Sequence, residues 1–578
     1  MITASTIARD LGPRGSRAAV AGPDPAGNLP GSALAVLAAV PAWWAARAAA
    51  AKLSGSWLDV SHALAAPLPE GVQGTKPDGS VSFAASAHDV GSAYVAALSP
   101  QVRARHGRHY TPRVLADELW AMARRALGLR RGSAQRLPGL VRDPACGAGA
   151  LLLPPLREHV AAVRGIDPQV AIAGLPHVIG GVDTDPAAVW LANVLMAAES
   201  LPLLAAVPAR RRRPFPALIR LGDGLQRNEL GASAIVMNPP YGRVRLTPED
   251  RARFAPTLYG HANLYGLFLA AALESLDERG VIAAVVPTSF TSGLYFRNLR
   301  AVLAKTAPLT EAAFVVDRGG VFAGVLQETC LAVFSRRQAR RTTIASLNGM
   351  RTSVAQVRSP RGDGPWLLPR QSDDAPLAAA AVAMPLNLTA AGWRVSTGPL
   401  VWNRRSRDLY PEPGPNRVPV LWAADLDGGR LHRDRVRDHL RYLELRVPSD
   451  RAVMMLTEPA VLVQRTTAPE QSRRLVATEL TADVLSAWGG AVVVENHVNV
   501  VRPATAIPPL LDQTALNRVL ATRTLDRVVR CLSGSVAVSA YELESLPLPS
   551  AEVLGMWNSL TGTALEAAVA SAYRPELA

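Results

Sequence analysis

Apolar positions along this chain fall into blocks whose spacing changes from region to region. Residues 1–31 are rich in Gly, Pro, Ser and Ala with no period, and are expected to be disordered. An Ala-rich apolar run from Ala33 to Ala51, a Pro- and Gly-rich loop from Pro67 to Gly79 and a further helical stretch from Val90 to Leu98 predict a helical N-terminal region over 32–108. Between 109 and 340 the pattern shifts to short apolar runs, Leu140-Val141, Val178 to Val182, Ala234 to Met237 and Val281 to Val286, with a further short strand at Ile219-Arg220-Leu221. Runs of this kind, separated by helical segments such as Asn263 to Leu276, are the signature of strands buried on both faces, and predict an open α/β sheet. A polar stretch with Arg336, Arg337, Arg340 and Arg341 then predicts an exposed connection, with a linker over 341–390. Short β-branched runs such as Ala460 to Val463 and Ala491 to Val494, broken by turn residues, predict a separate mixed domain over 391–550, and 551–578 read as a closing helix or tail.

The polar residues that matter sit where the predicted strands end, the edge at which open α/β sheets bind ligands. Asn238-Pro239-Pro240-Tyr241 follows the strand Ala234 to Met237. The Asn238 side-chain oxygen and the Pro239 carbonyl can accept two N–H bonds from an exocyclic amine, and Tyr241 offers a face for stacking. The same four residues also fit a simple strand-ending turn, since Asn-Pro commonly opens one. Upstream, Asp143-Pro144-Ala145-Cys146-Gly147-Ala148-Gly149 joins a strand to a helix through small residues that let a ligand approach the backbone. A lone Gly-x-Gly is weak, but two further strands end in acids, at Asp183 with Asp185 and at Asp223. Paired hydroxyls of a ribose are commonly bound by such a carboxylate.

These motifs, in this order across about 88–335, resemble the gamma class of S-adenosylmethionine-dependent DNA adenine-N6 methyltransferases, the TaqI-like enzymes. The resemblance extends upstream to His109-Tyr110-Thr111-Pro112 and downstream through Asn263 to Phe268, Gly280 to Val286 and Pro287-Thr288-Ser289-Phe290. It implies a Rossmann-like methyltransferase sheet with a helical lead-in and a separate mixed target-recognition domain. It implies S-adenosylmethionine as cofactor, with Thr111 near the methionine carboxylate, Asp143, Pro144, Cys146, Gly147 and Gly149 around the methionine portion, Asp183 on the ribose and Asp223 on the adenine. Asn238 adjoins that site, and Asn238, Pro239, Pro240 and Tyr241 fall on the target-base pocket. Phe296 falls where related enzymes place a second aromatic, although its spacing with Leu294, Leu299 and Leu303 also fits a core position. Thr184 between two acids, and Pro154-Pro155 early in the following helix, depart from the family pattern. In the C-terminal region, Ser396 to Trp402, Gln464 to Thr467, Glu495 to Asn499 and Leu546 to Pro549 look like blocks of the PstI/BsuBI-like branch of type II modification methylases.

The expected activity is transfer of a methyl group to adenine N6 in duplex DNA, by base flipping and direct displacement, in a restriction-modification or phage-defence system. Methylation of cytosine N4, of RNA or of a protein glutamine amide are alternatives, and so is a non-catalytic DNA-binding subunit. Intact acids at 143, 183 and 223 favour catalysis over the last of these.

The 578 residues carry a formal net charge of +15, which fits a polyanionic partner. Only Lys52, Lys76 and Lys305 among the 62 basic residues are lysines, so part of the Arg excess also reads as the composition of a GC-rich genome. None of the three follows a carboxylate at the spacing of a common metal-dependent nuclease centre, so cleavage is assigned to a separately encoded restriction endonuclease. Cys146, Cys330 and Cys531 lack zinc-ligand spacing, and no metal is expected. Pro41 and Arg47 interrupt the apolar run Ala33 to Ala51, which predicts a buried helix and no membrane partner. The setting expected is the bacterial cytoplasm, at the nucleoid through double-stranded DNA, with neither monomer nor dimer favoured. Arg210 to Arg213 reads as a solvated loop before a phosphate contact, and His497 as either a DNA contact or a turn support.

Overall fold

The computed structural model describes residues 29–574 apart from 101–102, 104–109, 131, 133, 228–230, 317–327, 338, 434–435, 437, 468–470 and 533–536. The expected disorder of the first residues, as far as 28, and the motif residue His109 lie outside the described residues. The chain divides into two units, one of residues up to Val285 with Val333–Arg337, the other of Val286–Ala332 and Gln338 onward.

The first unit begins with three helices, α1 (Gly31–Ala50), α2 (Val60–Leu64) and α3 (Ala87–Ala97). By length and composition α1 could cross a membrane, yet Val36, Leu37, Val40, Trp43 and Trp44 are buried within the unit. Both indoles are satisfied, Trp43 Nε1 donating to the Ala85 carbonyl at 2.9 Å and Trp44 Nε1 to the Trp57 carbonyl at 3.1 Å. A buried indole N–H that finds a carbonyl marks a core helix.

Strands β1 (Val141–Asp143), β2 (Ile179–Asp183), β3 (Ile219–Leu221) and β4 (Ala232–Met237) follow, then the small antiparallel pair β5 (Arg243–Val244) and β6 (Ala262–Asn263), and β7 (Leu276–Pro287). Parallel pairing gives the order β3-β2-β1-β4-β7. The chain leaves β1 toward β2 and β3, then returns to place β4 on the other side of β1. That reversal opens a crevice at the carboxyl ends of β1 and β4, where a doubly wound sheet binds its ligand. β4 is buried along its whole length, as its unbroken apolar run requires. Pro154 and Pro155 start no irregularity: they occupy the first turn of the helix Leu153–Ala162, where a missing N–H leaves no bond unmade.

The second unit contains β8 (Leu309–Val315), β9 (Thr329–Ser335, its last residues counted with the first unit), β10 (Arg341–Asn348) and β11 (Met350–Arg358). β10 pairs in parallel with β8 and antiparallel with β11. The segment read as a linker from 341 therefore opens with a sheet hairpin: Arg336 and Arg337 follow β9 and Arg340 precedes β10, but Arg341 starts β10, which buries Thr342, Ile344, Ala345 and Leu347, and the residues of β11 are exposed or half-buried. Farther on, β12 (Leu386–Asn387), β13 (Trp393–Thr397), β14 (Leu409–Tyr410), β15 (Arg417–Leu421), β16 (Tyr442–Glu444), β17 (Met455–Leu456), β18 (Ala460–Gln464), β19 (Ala477–Leu480), β20 (Val492–Val494), β21 (Val498–Pro503) and β22 (Pro547–Leu548) build small sheets. The central one runs β13-β21-β18-β19. The closing segment is no loose tail: Leu554, Trp557, Leu565, Val569 and Tyr573 enter the same core as Trp393, Val461 and Val501.

Candidate active site

The loop after β1 is shaped by backbone demands that only glycine meets. Gly147 and Gly149 have φ of 50° and 83°, the left-handed region. A Cβ on Gly149 would lie 2.8 Å from Met196 Cε, whereas one on Gly147 would meet nothing within 4 Å, so the first glycine seats the loop on the helix below and the second leaves an open cradle above. Gly224, after β3, passes so close to this loop that a Cβ there would lie 1.7 Å from the Pro144 carbonyl oxygen. Cys146 donates its N–H to the Val182 carbonyl at 3.0 Å. Its thiol is buried and its pKa is pushed well above the usual value by that burial, so it is inert packing within the loop.

Asp183 ties the loop to β2. One carboxylate oxygen accepts the Gly147 N–H at 2.7 Å and the other accepts the Asp185 N–H at 3.0 Å. Both oxygens of this carboxylate are thus engaged by the loop backbone. Asp185 caps the helix Pro186–Glu199 through the Ala187 N–H and accepts from the Tyr94 hydroxyl of α3 at 2.9 Å. Asp143 is 2 % exposed and accepts the Ala145 N–H at 3.0 Å. Burial lifts its pKa to about 8, with the nearby Asp183 charge adding to the effect and the Ala145 bond and Arg142 opposing it. Asp223, half-buried, accepts the Leu225 N–H at 2.9 Å.

At the end of β4 the Asn238 amide is held from both sides. Its nitrogen donates to Thr111 Oγ1 at 3.1 Å, and its oxygen faces the Tyr241 hydroxyl at 3.2 Å. That hydroxyl is also 3.2 Å from the Val285 carbonyl on β7, and the Tyr241 ring meets Tyr265 edge-on at 6.0 Å between centroids. Thr111 is 3 % exposed, and its carbonyl lies 3.0 Å from His88 Nε2 on α3. Pro239 is buried and Pro240 half-buried, so the loop is a rigid continuation of the strand.

The structure thus brings Thr111, Asp143, Pro144, Cys146, Gly147, Gly149, Asp183, Asp223 and the Asn238 to Tyr241 loop to one sheet edge of the first unit. Phe296 belongs to the second unit, at the end of the short turn Leu294–Phe296, 8 % exposed and against Gly293. Tyr265 and Val285 fell within stretches of the resemblance without a role assigned to them, and His88 and Tyr94 lay outside the motif residues quoted. Each acts through a contact remote in sequence, with no local pattern of its own. Arg211 of the arginine run pairs with exposed Asp167, and Arg212 donates to the Val207 carbonyl, as expected of a surface loop.

Residues 211–322 match the family model of the Eco57I restriction-modification methylases. The type II methyltransferase M.PstI of Providencia stuartii is 24% identical over 332 residues, covering 55% of this chain and 65% of that protein. M.BsuBI of Bacillus subtilis is 22% identical over 336 residues, 56% of this chain and 66% of its own. The chain thus spans just under two thirds of the length of these curated relatives. Among solved structures, the type IIL restriction-modification enzyme MmeI in complex with DNA aligns with 84% of this chain and 77% of its own at 13% identity and a TM-score of 0.48. The type IIG restriction endonuclease BpuSI covers 94% of this chain and 72% of its own, with 13% identity and a TM-score of 0.44. It is over residues 211–322 that the chain is similar to the Eco57I restriction-modification methylases.

Proposed function

We propose that this chain is a site-specific DNA methyltransferase of a type II restriction-modification system, acting on N6 of adenine with S-adenosylmethionine. The observation that carries the reading is the Asn238 amide at the end of β4, its nitrogen fixed by Thr111 and its oxygen facing the Tyr241 hydroxyl, beside the open cradle over Gly147. The open cradle over Gly147, the carboxylate of Asp183 beside it and the half-buried Asp223 support the cofactor reading. Gly147 and Gly149 with Asp143 would hold its methionine portion, Asp183 its ribose and Asp223 its adenine, and when bound it supplies an electrophilic methyl group.

The amine of adenine is a poor nucleophile because its lone pair is delocalised into the ring. The Asn238 oxygen and the Pro239 carbonyl accept its two N–H bonds, which favours a pyramidal nitrogen with its lone pair directed away from both. Orientation of this kind is a large share of the rate enhancement in a direct displacement. An amine inside a duplex cannot reach these acceptors, so the base leaves the stack and Tyr241 supplies the aromatic face that receives it. Thr111 holds the amide in the one orientation that presents oxygen, not nitrogen, to the target. Pairing with a separate endonuclease is part of the proposal.

Methylation-aware sequencing of DNA from cells expressing the chain tests the reading. N6-methyladenine at one recurring sequence, absent with Asn238→Ala, is the expected result. Methylation at cytosine N4 would reassign the target, and no methylation in DNA would overturn the reading.

A further inference from the structure

Three blocks of the C-terminal region, Thr397-Gly398, Gln464-Arg465 and Glu495 to Asn499, far apart in sequence, meet at one end of the sheet β13-β21-β18-β19. Thr397 pairs with Asn499 and Gln464 with Val498 across the strands, Gly398 N–H donates to the Val498 carbonyl at 2.8 Å, and Arg465 N–H to the His497 carbonyl at 2.7 Å. Asn499 donates to the Val538 carbonyl at 2.8 Å and receives Thr397 Oγ1 at 3.3 Å. The turn Glu495 to His497 is pressed against Gly398 so closely that a Cβ there would lie 2.2 Å from the Glu495 carbonyl oxygen. No side chain other than hydrogen fits at 398 without moving the turn.

Within that turn Glu495 is 2 % exposed. A buried carboxylate must be saturated with donors, and this one is. It accepts the His497 N–H at 2.9 Å and faces His497 Nδ1 at 2.6 Å. The Asn496 amide, turned to donate, reaches the same carboxylate at 2.6 Å and the Leu400 carbonyl at 3.2 Å. The His497 side chain is 46 % exposed, so its ring points out of a turn built around its own counter-ion. With Nδ1 on Glu495, Nε2 is the ring nitrogen left to a ligand. The charged groups acting on the ring are Glu495, which raises its pKa through the hydrogen bond, and Arg465, whose weaker repulsion and the partial burial lower it. Arg465 also donates to the Asn496 carbonyl at 3.1 Å, which keeps a second cation beside the turn. The imidazole thus joins the donor set of Glu495 through Nδ1 and, half exposed, carries its other nitrogen to the outer side of the turn.

We propose that His497 is a phosphate contact for duplex DNA, its ring fixed through Nδ1 by Glu495 and its Nε2–H donated to a non-bridging phosphate oxygen. The proposal rests on the reading of this chain as a DNA methylase. Being a backbone contact, it requires no knowledge of the recognition sequence.

Fluorescence anisotropy of a mixed-sequence duplex, titrated with the full chain over a range of salt at about pH 6 and about pH 9, spans the titration of a histidine. Wild-type affinity should fall as pH rises, because the contact exists only while the ring is protonated. His497→Gln, which keeps a donor for Glu495 but carries no charge, should lose that pH response, and the slope of log K against log salt should shrink by about 0.9. His497→Lys should restore the slope at both pH values. Glu495→Gln should shift the pH response downward; if that buried change prevents folding, the two position-497 variants on the exposed side still decide. Wild-type slope and pH response in His497→Gln overturns the proposal while DNA binding stands. Failure of the wild-type chain to bind any duplex overturns both readings.

Discussion

The Tyr241 hydroxyl lies 3.2 Å from Oδ1 of Asn238, so the residue proposed to stack on the target base also occupies the acceptor proposed for its amine. The Val285 carbonyl stands at the same distance from that hydroxyl. When an amine arrives, Tyr241 can give its proton wholly to Val285 and release Asn238 with no polar group left unsatisfied. An exchange of acceptors of this kind is nearly neutral, whereas an abandoned buried donor would cost about 1–3 kcal/mol.

Tyr241→Phe should therefore keep turnover within a few-fold of wild type, since the ring stays and the Asn238 acceptor is freed from the start. Tyr241→Ala removes the stacking face, a loss of about 1–3 kcal/mol per base. A duplex with 2-aminopurine at the target position shows whether the base leaves the stack: its fluorescence should rise with wild type and Phe, not with Ala. Equal loss in Phe and Ala would make the hydroxyl essential.

Asn238→Ala should abolish methyl transfer with cofactor affinity nearly unchanged. Thr111→Val should be intermediate. It removes the acceptor that fixes the amide orientation at 3.1 Å, and loss of one such bond is worth about 1–3 kcal/mol, or roughly five- to 150-fold in single-turnover rate. A Thr111→Ser variant retains the hydroxyl and should recover most of that rate.

Asp183→Ala should weaken cofactor binding by about 1–3 kcal/mol in calorimetry, because the ribose loses its acceptor and the loop loses its tie at Gly147. The rate at saturating cofactor should change far less than the affinity. Unaltered affinity would move the ribose elsewhere.

Asp143 predicts a proton signal. Burial raises its pKa in the folded protein to about 8, above the ordinary carboxylate range, so the folded state holds a proton that the unfolded chain has lost at neutral pH. Its contribution to stability is full below the ordinary carboxylate range and is lost as pH rises through about 8. The cationic cofactor favours the ionised carboxylate, so binding near pH 7 should release a proton. Calorimetry in two buffers of different ionisation enthalpy should show that release, and Asp143→Asn should remove it.

The chemistry of the sheet edge was legible because it is local. Strand β4 and the second half of β7 announce themselves as unbroken apolar runs, since a parallel strand is buried on both faces, and each candidate acid or amide lies at its strand's end or within a few residues of it. Glycine at 147 and 149 was readable for the same reason, as the left-handed backbone needs it whatever surrounds it. The hairpin of β10 and β11 was misread as a connection because its outer strand is polar and exposed, and β pairing is decided by a partner the local pattern does not contain. The closing segment was read as a helix or tail; it forms two helices, and only the finished core shows that Trp557 and Tyr573 are buried in it.

By itself, then, the sequence determined the order of strands and loops along the first unit and the residue types at each strand end, because backbone conformation and burial act over a few neighbouring positions. Tertiary structure alone decided the partners. It placed His88 and Tyr94 of α3 on Thr111 and Asp185, set Thr111 against the Asn238 amide, and brought Gly398 onto the turn Glu495 to His497. Hydrogen bonds between residues dozens of positions apart depend on how close folding brings them, and no spacing along a chain encodes that distance.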